Sequence, residues 1–105
     1  MTDRELLELA AKAARIEISS WSIYGAYVGG LEGEVWNPLT DDGDALRLAV
    51  KLGIGTQSYA ALGYSHAGSE SVSQSAVMKE QHNGDPFAAT RRAIVRAAAA
   101  VGASS

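Results

Sequence analysis

The stretch Trp36-Asn37-Pro38-Leu39-Thr40-Asp41-Asp42-Gly43-Asp44-Ala45-Leu46 decides the fold of this chain, because it marks where a strand gives way to a helix. It opens with an aromatic residue of a type that folded proteins bury, followed by a proline that cannot continue a strand ladder. The side-chain oxygens of Thr40 or Asp41 can then accept the free N–H groups of a first helical turn, and nearby acids favour the positive end of the helix dipole. We predict a helix that ends at Gly53 and buries four residues, Ala45, Leu48, Ala49 and Leu52.

Two more helices are predicted from their caps and apolar spacing. The first runs from about Asp3 to Ala14, since Thr2 and Glu5 have the spacing of a capping box. Its apolar face is formed by Leu6, Leu9, Ala10 and Ala13. The last helix has Asp85 as N-cap and Pro86 in its first position, and Gly102 is expected to end it. Its predicted apolar stripe consists of Phe87, Ile94, Ala98 and Val101.

Alternating apolar and polar residues predict strands between the helices. One segment runs from Ile16 through a bulge to Tyr24, and a glycine-rich return segment ends at Val35-Trp36. A second pair is predicted from Ile54 to Tyr64 and from Ser71 to Lys79, with a turn at residues 66–69. The order α-β-β-α-β-β-α predicts one α+β domain over residues 1–105, with helices packed on a four-stranded, mainly antiparallel sheet.

Composition limits the function classes open to this chain. It has 105 residues, no cysteine and a net charge of -3, which rules out disulfides and thiolate metal sites and disfavours non-specific nucleic-acid binding. No apolar run approaches the roughly 18 residues that a membrane helix needs. The N-terminus also lacks the basic-then-apolar plan of a signal peptide, so we expect a cytoplasmic protein without membrane contact.

No group of residues in the sequence predicts catalysis, a metal or another cofactor. The segment Gly63-Tyr64-Ser65-His66-Ala67 approaches the nucleophile motif G-x-S-x-G, but that motif needs a strand-to-helix turn in a larger α/β sheet. The acids near Asp42 lack the spacing of a calcium loop, so helix capping explains them more simply. The two histidines, His66 and His82, lack zinc-ligand spacing. We therefore predict a non-enzymatic protein.

Four residues are the candidates for ligand binding. Arg92 and Arg96 are one helical turn apart and so point the same way, which allows two guanidinium groups to hold one phosphate or carboxylate. Tyr24 and Tyr27 lie on the glycine-rich segment and could stack on a base or meet another subunit. The alternative for the arginines is an ordinary solvated helix surface.

The segments 36–50 and 85–97 resemble small phage and prophage proteins that have a phage ABA sandwich domain, with phage NinX-like proteins as more distant relatives. The resemblance implies a non-catalytic phage accessory protein in the cytoplasm of an infected bacterium. It favours counter-defence through sequestration of a small, anionic, nucleotide-like ligand. The alternative is a protein-interaction module that inhibits or redirects a host protein.

Self-association is also predicted, with a dimer or a higher homo-oligomer as the expected state. Small side chains at Ser71, Ser73 and Ser75 and an alanine-rich last helix could give flat surfaces that pack on a copy of themselves.

Overall fold

A computed structural model describes residues 1–29, 34–69 and 77–104 of the chain. Within these ranges there are three helices and six strands. In chain order they are α1 (Asp3–Ala14), β1 (Ile18–Ser22), β2 (Gly25–Val28), β3 (Glu34–Trp36), α2 (Asp42–Leu52), β4 (Ile54–Tyr59), β5 (Tyr64–Ser69), β6 (Met78–Gln81) and α3 (Pro86–Ala103).

The strands form two three-stranded antiparallel sheets, ordered β1-β2-β3 and β4-β5-β6. The predicted α+β class is confirmed, but the predicted order and the single four-stranded sheet do not match. Each sheet has one strand more than predicted. The glycine-rich return segment contributes both β2 and β3, and the strand predicted from Ile54 to Tyr64 is divided by a turn into β4 and the start of β5. The predicted bulge in β1 is confirmed by a shift of register between Ile18 and Ser20.

The second hairpin turns earlier than predicted. Residues 66–69 belong to β5, and the turn lies between Tyr59 and Tyr64, where the N–H groups of Leu62 and Gly63 both donate to the Tyr59 carbonyl. Gly63 adopts a left-handed conformation with φ of 74°, which glycine reaches at little cost. The residues before Gly63 in this turn are two alanines and a leucine, which are not typical turn residues, so the sequence did not indicate a turn here. The predicted strand over Ser71 to Lys79 falls largely outside the described residues.

Helix α1 has the predicted bounds and the predicted capping box, in which Thr2 and Glu5 exchange hydrogen bonds. The hydrogen bonds from Thr2, first from its backbone N–H, hold the pKa of Glu5 below its ordinary value. This cap therefore contributes stability at neutral pH and loses it as the pH falls through the lowered pKa. The buried face is rotated from the predicted one: Leu6, Leu7, Ala10, Ala11 and Ala14 are buried.

The link from β3 to α2 depends on Asn37. Its backbone N–H donates to Asp44 (2.9 Å), its side-chain oxygen accepts from Leu39 (3.1 Å), and its side-chain amide donates to the Tyr24 carbonyl (3.0 Å). Gly25 lies against this residue, and a Cβ there would be 2.7 Å from the Asn37 Cβ. The first sheet is thereby fastened to the start of α2. Asp41 is the N-cap and Gly53 the left-handed C-cap, as predicted.

Helix α3 is the central element, since it packs against α1, against α2 and against all three strands of the second sheet. Asp85 caps it and Pro86 begins it, as predicted, but Gly102 does not end it. Gly102 is buried inside the helix, and a Cβ there would overlap the Leu9 carbonyl oxygen of α1. This glycine therefore lets the two helix backbones approach each other. The predicted apolar stripe of α3 is wrong at Phe87, because this side chain is 68% exposed.

Gly102→Ala should lower the free energy of unfolding. Alanine raises helix propensity by up to about 1 kcal/mol, but overpacking in a tight core costs about 1–3 kcal/mol or more, so the steric term should win. Urea denaturation measures the change. Gly55→Ala is the matched control, since its added Cβ meets nothing within 4 Å and it should be nearly neutral. Equal stability of Gly102→Ala and wild type would show that α1 and α3 are not in close contact at this point.

Candidate functional site

Arg92 and Arg96 lie together on an open groove between α1, β6 and α3, which we call the arginine groove. It has a volume of about 530 Å³. Its lining residues are Met1, Leu6, Leu9, Met78, Glu80, Arg92, Arg96, Ala99, Ala100 and Ala103. The predicted pair of arginines thus lines a groove whose remaining residues, apart from Glu80, are apolar.

Both guanidinium groups of this pair have carboxylate partners within the chain. Arg92 NH1 lies 3.0 Å from Asp3 Oδ1, and the two side chains are 40% and 65% exposed. Arg96 NH1 donates to Glu80 Oε2 (2.5 Å) and to the Lys79 carbonyl (3.1 Å). The Arg96 contact is the less exposed and fixes that side chain on β6, whereas the Arg92 contact is a solvated surface pair. Neither Asp3 nor Glu80 could be assigned to this site from the sequence, because each belongs to a different element whose packing on α3 the sequence does not specify.

Arg91, the third arginine of α3, points elsewhere. Its Nε donates to the Leu39 carbonyl (2.9 Å) and its NH1 pairs with Asp42 Oδ1 (2.6 Å). The side chain is only 17% exposed, so this pair joins α3 to the start of α2. One of the three arginines of α3 is therefore used to hold two helices together.

Tyr24 and Tyr27 are on the first sheet and are not among the described residues that line the arginine groove. Tyr24 follows β1 in the turn to β2 and is strongly exposed. Tyr27 pairs with Ser20 and Val35, and its ring is partly exposed. The four predicted binding residues are thus divided between two surfaces, with the arginines alone on the groove.

A partly buried chain of hydrogen-bonded side chains connects the second sheet to α3. The Oγ of Ser65, which is fully buried, lies 2.8 Å from His82 Nε2 and 2.7 Å from Thr90 Oγ1. Thr90 donates in turn to the Pro86 carbonyl at 2.8 Å. The sequence offered no signal for this arrangement, because the three side chains come from β5, from the segment after β6 and from α3.

The donor and acceptor roles in this series of hydrogen bonds limit the chemistry open to His82. Thr90 has one hydroxyl hydrogen, and the Pro86 carbonyl can only accept, so Thr90 Oγ1 accepts from Ser65. Ser65 Oγ then accepts from His82, whose Nε2 must carry a hydrogen. That nitrogen is therefore not a base toward Ser58 Oγ, which lies 3.4 Å away. The contacts fit a structural hydrogen-bond chain rather than a nucleophile and its base.

His66, the other histidine, makes different contacts from His82. It lies in β5 and stacks on Tyr59 with ring centroids 5.5 Å apart. Across the residues that the structure describes, no three His, Asp or Glu side chains gather closely enough to hold a metal ion.

No protein-family model, curated protein or solved structure matches this chain. The resemblance to phage ABA sandwich proteins therefore stays a prediction. Over the described ranges, no helix combines the length and the apolar character needed to cross a membrane.

Ser65→Ala should lower the free energy of unfolding by about 1–3 kcal/mol, because the Thr90 hydroxyl and the His82 N–H would lose a buried partner. Urea denaturation measures this. Ser58→Ala, at an exposed serine of the same hairpin, should stay within about 0.5 kcal/mol of wild type. Equal losses of unfolding free energy in the two variants would contradict the series of hydrogen bonds through Ser65.

Proposed function

We propose that this protein is a non-catalytic binding protein for a small amphipathic anion, and that the arginine groove is its site. The observation that carries the proposal is that Arg92 and Arg96 line one groove, whose other lining residues are apolar except for Glu80. Small-molecule sites usually combine a mainly apolar lining with a few charged or polar groups.

The anionic head of such a ligand would bind the two guanidinium groups. Asp3 must give up Arg92 for this, but an exposed ion pair contributes only about 0–1 kcal/mol. A ligand that also buries apolar surface in the groove gains about 25 cal/mol per Å² of that surface, so its anionic head can displace Asp3. Glu80 would stay with Arg96 and keep its guanidinium beside the groove.

The body of the ligand would cover the apolar floor, which is formed by Leu6, Leu9, Met78, Ala99 and Ala103. None of the described residues that line the groove is aromatic, so a nucleobase would find no ring to stack on. We therefore favour an aliphatic carboxylate or phosphate over the nucleotide expected from the sequence. Sequestration of such a ligand as phage counter-defence stays a hypothesis that depends on the family resemblance.

The variant Arg92→Gln/Arg96→Gln should weaken binding of decanoate by on the order of 2–5 kcal/mol, because two charged hydrogen bonds are lost. Isothermal titration calorimetry with decanoate measures this, and adenosine monophosphate is the second probe. Glutamine keeps helix propensity, so the thermal midpoint should change by only a few degrees.

Arg47→Gln is the matched control, since Arg47 is an exposed helical arginine that is also paired with a carboxylate but lies on α2. It should leave decanoate binding unchanged. Equal affinity of the double variant and wild type, or no binding of decanoate by wild type, would overturn the amphipathic-anion proposal. Binding of adenosine monophosphate alone would favour the nucleotide instead.

A further inference from the structure

A second groove lies between the N-terminal ends of α2 and α3 and the end of β4, and we call it the apolar groove. It has a volume of about 560 Å³. Its apolar lining is formed by Leu46, Ala60, Pro86, Phe87 and Ile94. It is separate from the arginine groove, and the two have no lining residue in common.

Two large apolar side chains on this groove are mainly exposed to solvent. Phe87, the only phenylalanine in the chain, is 68% exposed, and Leu46 is 63% exposed. Burying a side chain of this size is worth about 1.5–3 kcal/mol, and the fold itself gains little of that from either residue. An exposed aromatic residue beside an apolar groove is typical of an interaction site, because such residues serve as binding anchors.

The charges around the apolar groove indicate what kind of partner fits it. Asp42 lines the groove, and Asp41 directly precedes Asp42 in the sequence. Asp85 caps α3 immediately before Pro86 and Phe87. All three carboxylates are exposed. Arg91 pairs with Asp42 and is mostly buried, and Arg47 pairs with Asp41 and Asp44. Carboxylates therefore outnumber guanidinium groups at this end of the molecule.

This excess of negative charge would oppose a second copy of the same surface and attract a cationic one. We infer that the apolar groove is a docking site for a cationic segment of another protein. A large apolar side chain of that segment packs against Phe87 and Leu46, and its Lys or Arg residues face Asp41, Asp42 and Asp85. The inference does not rest on ligand binding at the arginine groove.

The test is selection of random twelve-residue peptides displayed on phage particles against the immobilised protein. Recovered peptides are synthesised and their affinities measured by fluorescence anisotropy. They should combine Lys or Arg with a large apolar residue, and Phe87→Ser should weaken their binding at least tenfold. Asp85→Asn keeps a good N-cap residue on α3 but removes its charge, so it should weaken binding severalfold and reduce the dependence of binding on salt concentration.

Phe87→Ser should fold, since its side chain is mainly exposed, and Leu46→Ser is a second variant at the groove with the same expected loss. Val35→Ser is the matched control, because Val35 is an exposed apolar residue on β3, in the other sheet. It should leave peptide affinity unchanged. Arg92→Gln/Arg96→Gln should also leave it unchanged, which distinguishes failure at one groove from failure at the other.

Several results would overturn the inference. Recovered peptides could be acidic or uncharged, or could bind Phe87→Ser as well as wild type. Light scattering could show a dimer that Phe87→Ser converts to a monomer, in which case the groove belongs to a second copy of this chain. A selection that recovers no peptide specific to the wild-type groove would also count against a cationic partner.

Discussion

The close packing of α3 on its neighbours is the constraint on which the rest of this structure depends. Most of its buried residues are alanines, and the others are Ile94, Val95 and Gly102. The helix packs on both the other helices and the second sheet. Small side chains let neighbours approach a helix from several directions, and at Gly102 the backbone of α1 comes so close that no Cβ fits. The core consequently gains stability from tight contacts rather than from many large side chains.

The three arginines of α3 fasten this central helix to three different elements. Arg91 pairs with Asp42 of α2, Arg92 with Asp3 of α1, and Arg96 with Glu80 of β6. The pairs differ in how exposed their side chains are, and this exposure determines whether an arginine can exchange its carboxylate partner for a ligand. The mostly buried Arg91 is committed to the fold, whereas exchanging the solvated partner of Arg92 for a ligand costs little.

The same helix separates the two grooves. One side of α3 meets α1 and β6 at the arginine groove, and its N-terminal end meets α2 and β4 at the apolar groove. Their chemistry differs, since one is lined by two arginines and Glu80 beside aliphatic side chains and the other has carboxylates around exposed apolar side chains. The alanine-rich face of α3, expected to support self-association, is instead buried in the core. Ser71, Ser73 and Ser75, the other residues expected at a self-association surface, lie outside the described residues. The predicted homo-oligomer therefore stays a prediction.

The sequence by itself determined the local structure whose causes are local. The capping box of Thr2 and Glu5, the caps Asp41 and Asp85 and the left-handed Gly53 depend on residues only a few positions apart, and all were predicted. The proximity of Arg92 and Arg96 follows equally from helical spacing. Only the tertiary structure decided the two sheets, the role of Gly102, the chain from His82 through Ser65 to Thr90, and the exposure of Phe87. Each of these depends on which distant segment lies next to a residue, and neither periodicity nor composition specifies that neighbour.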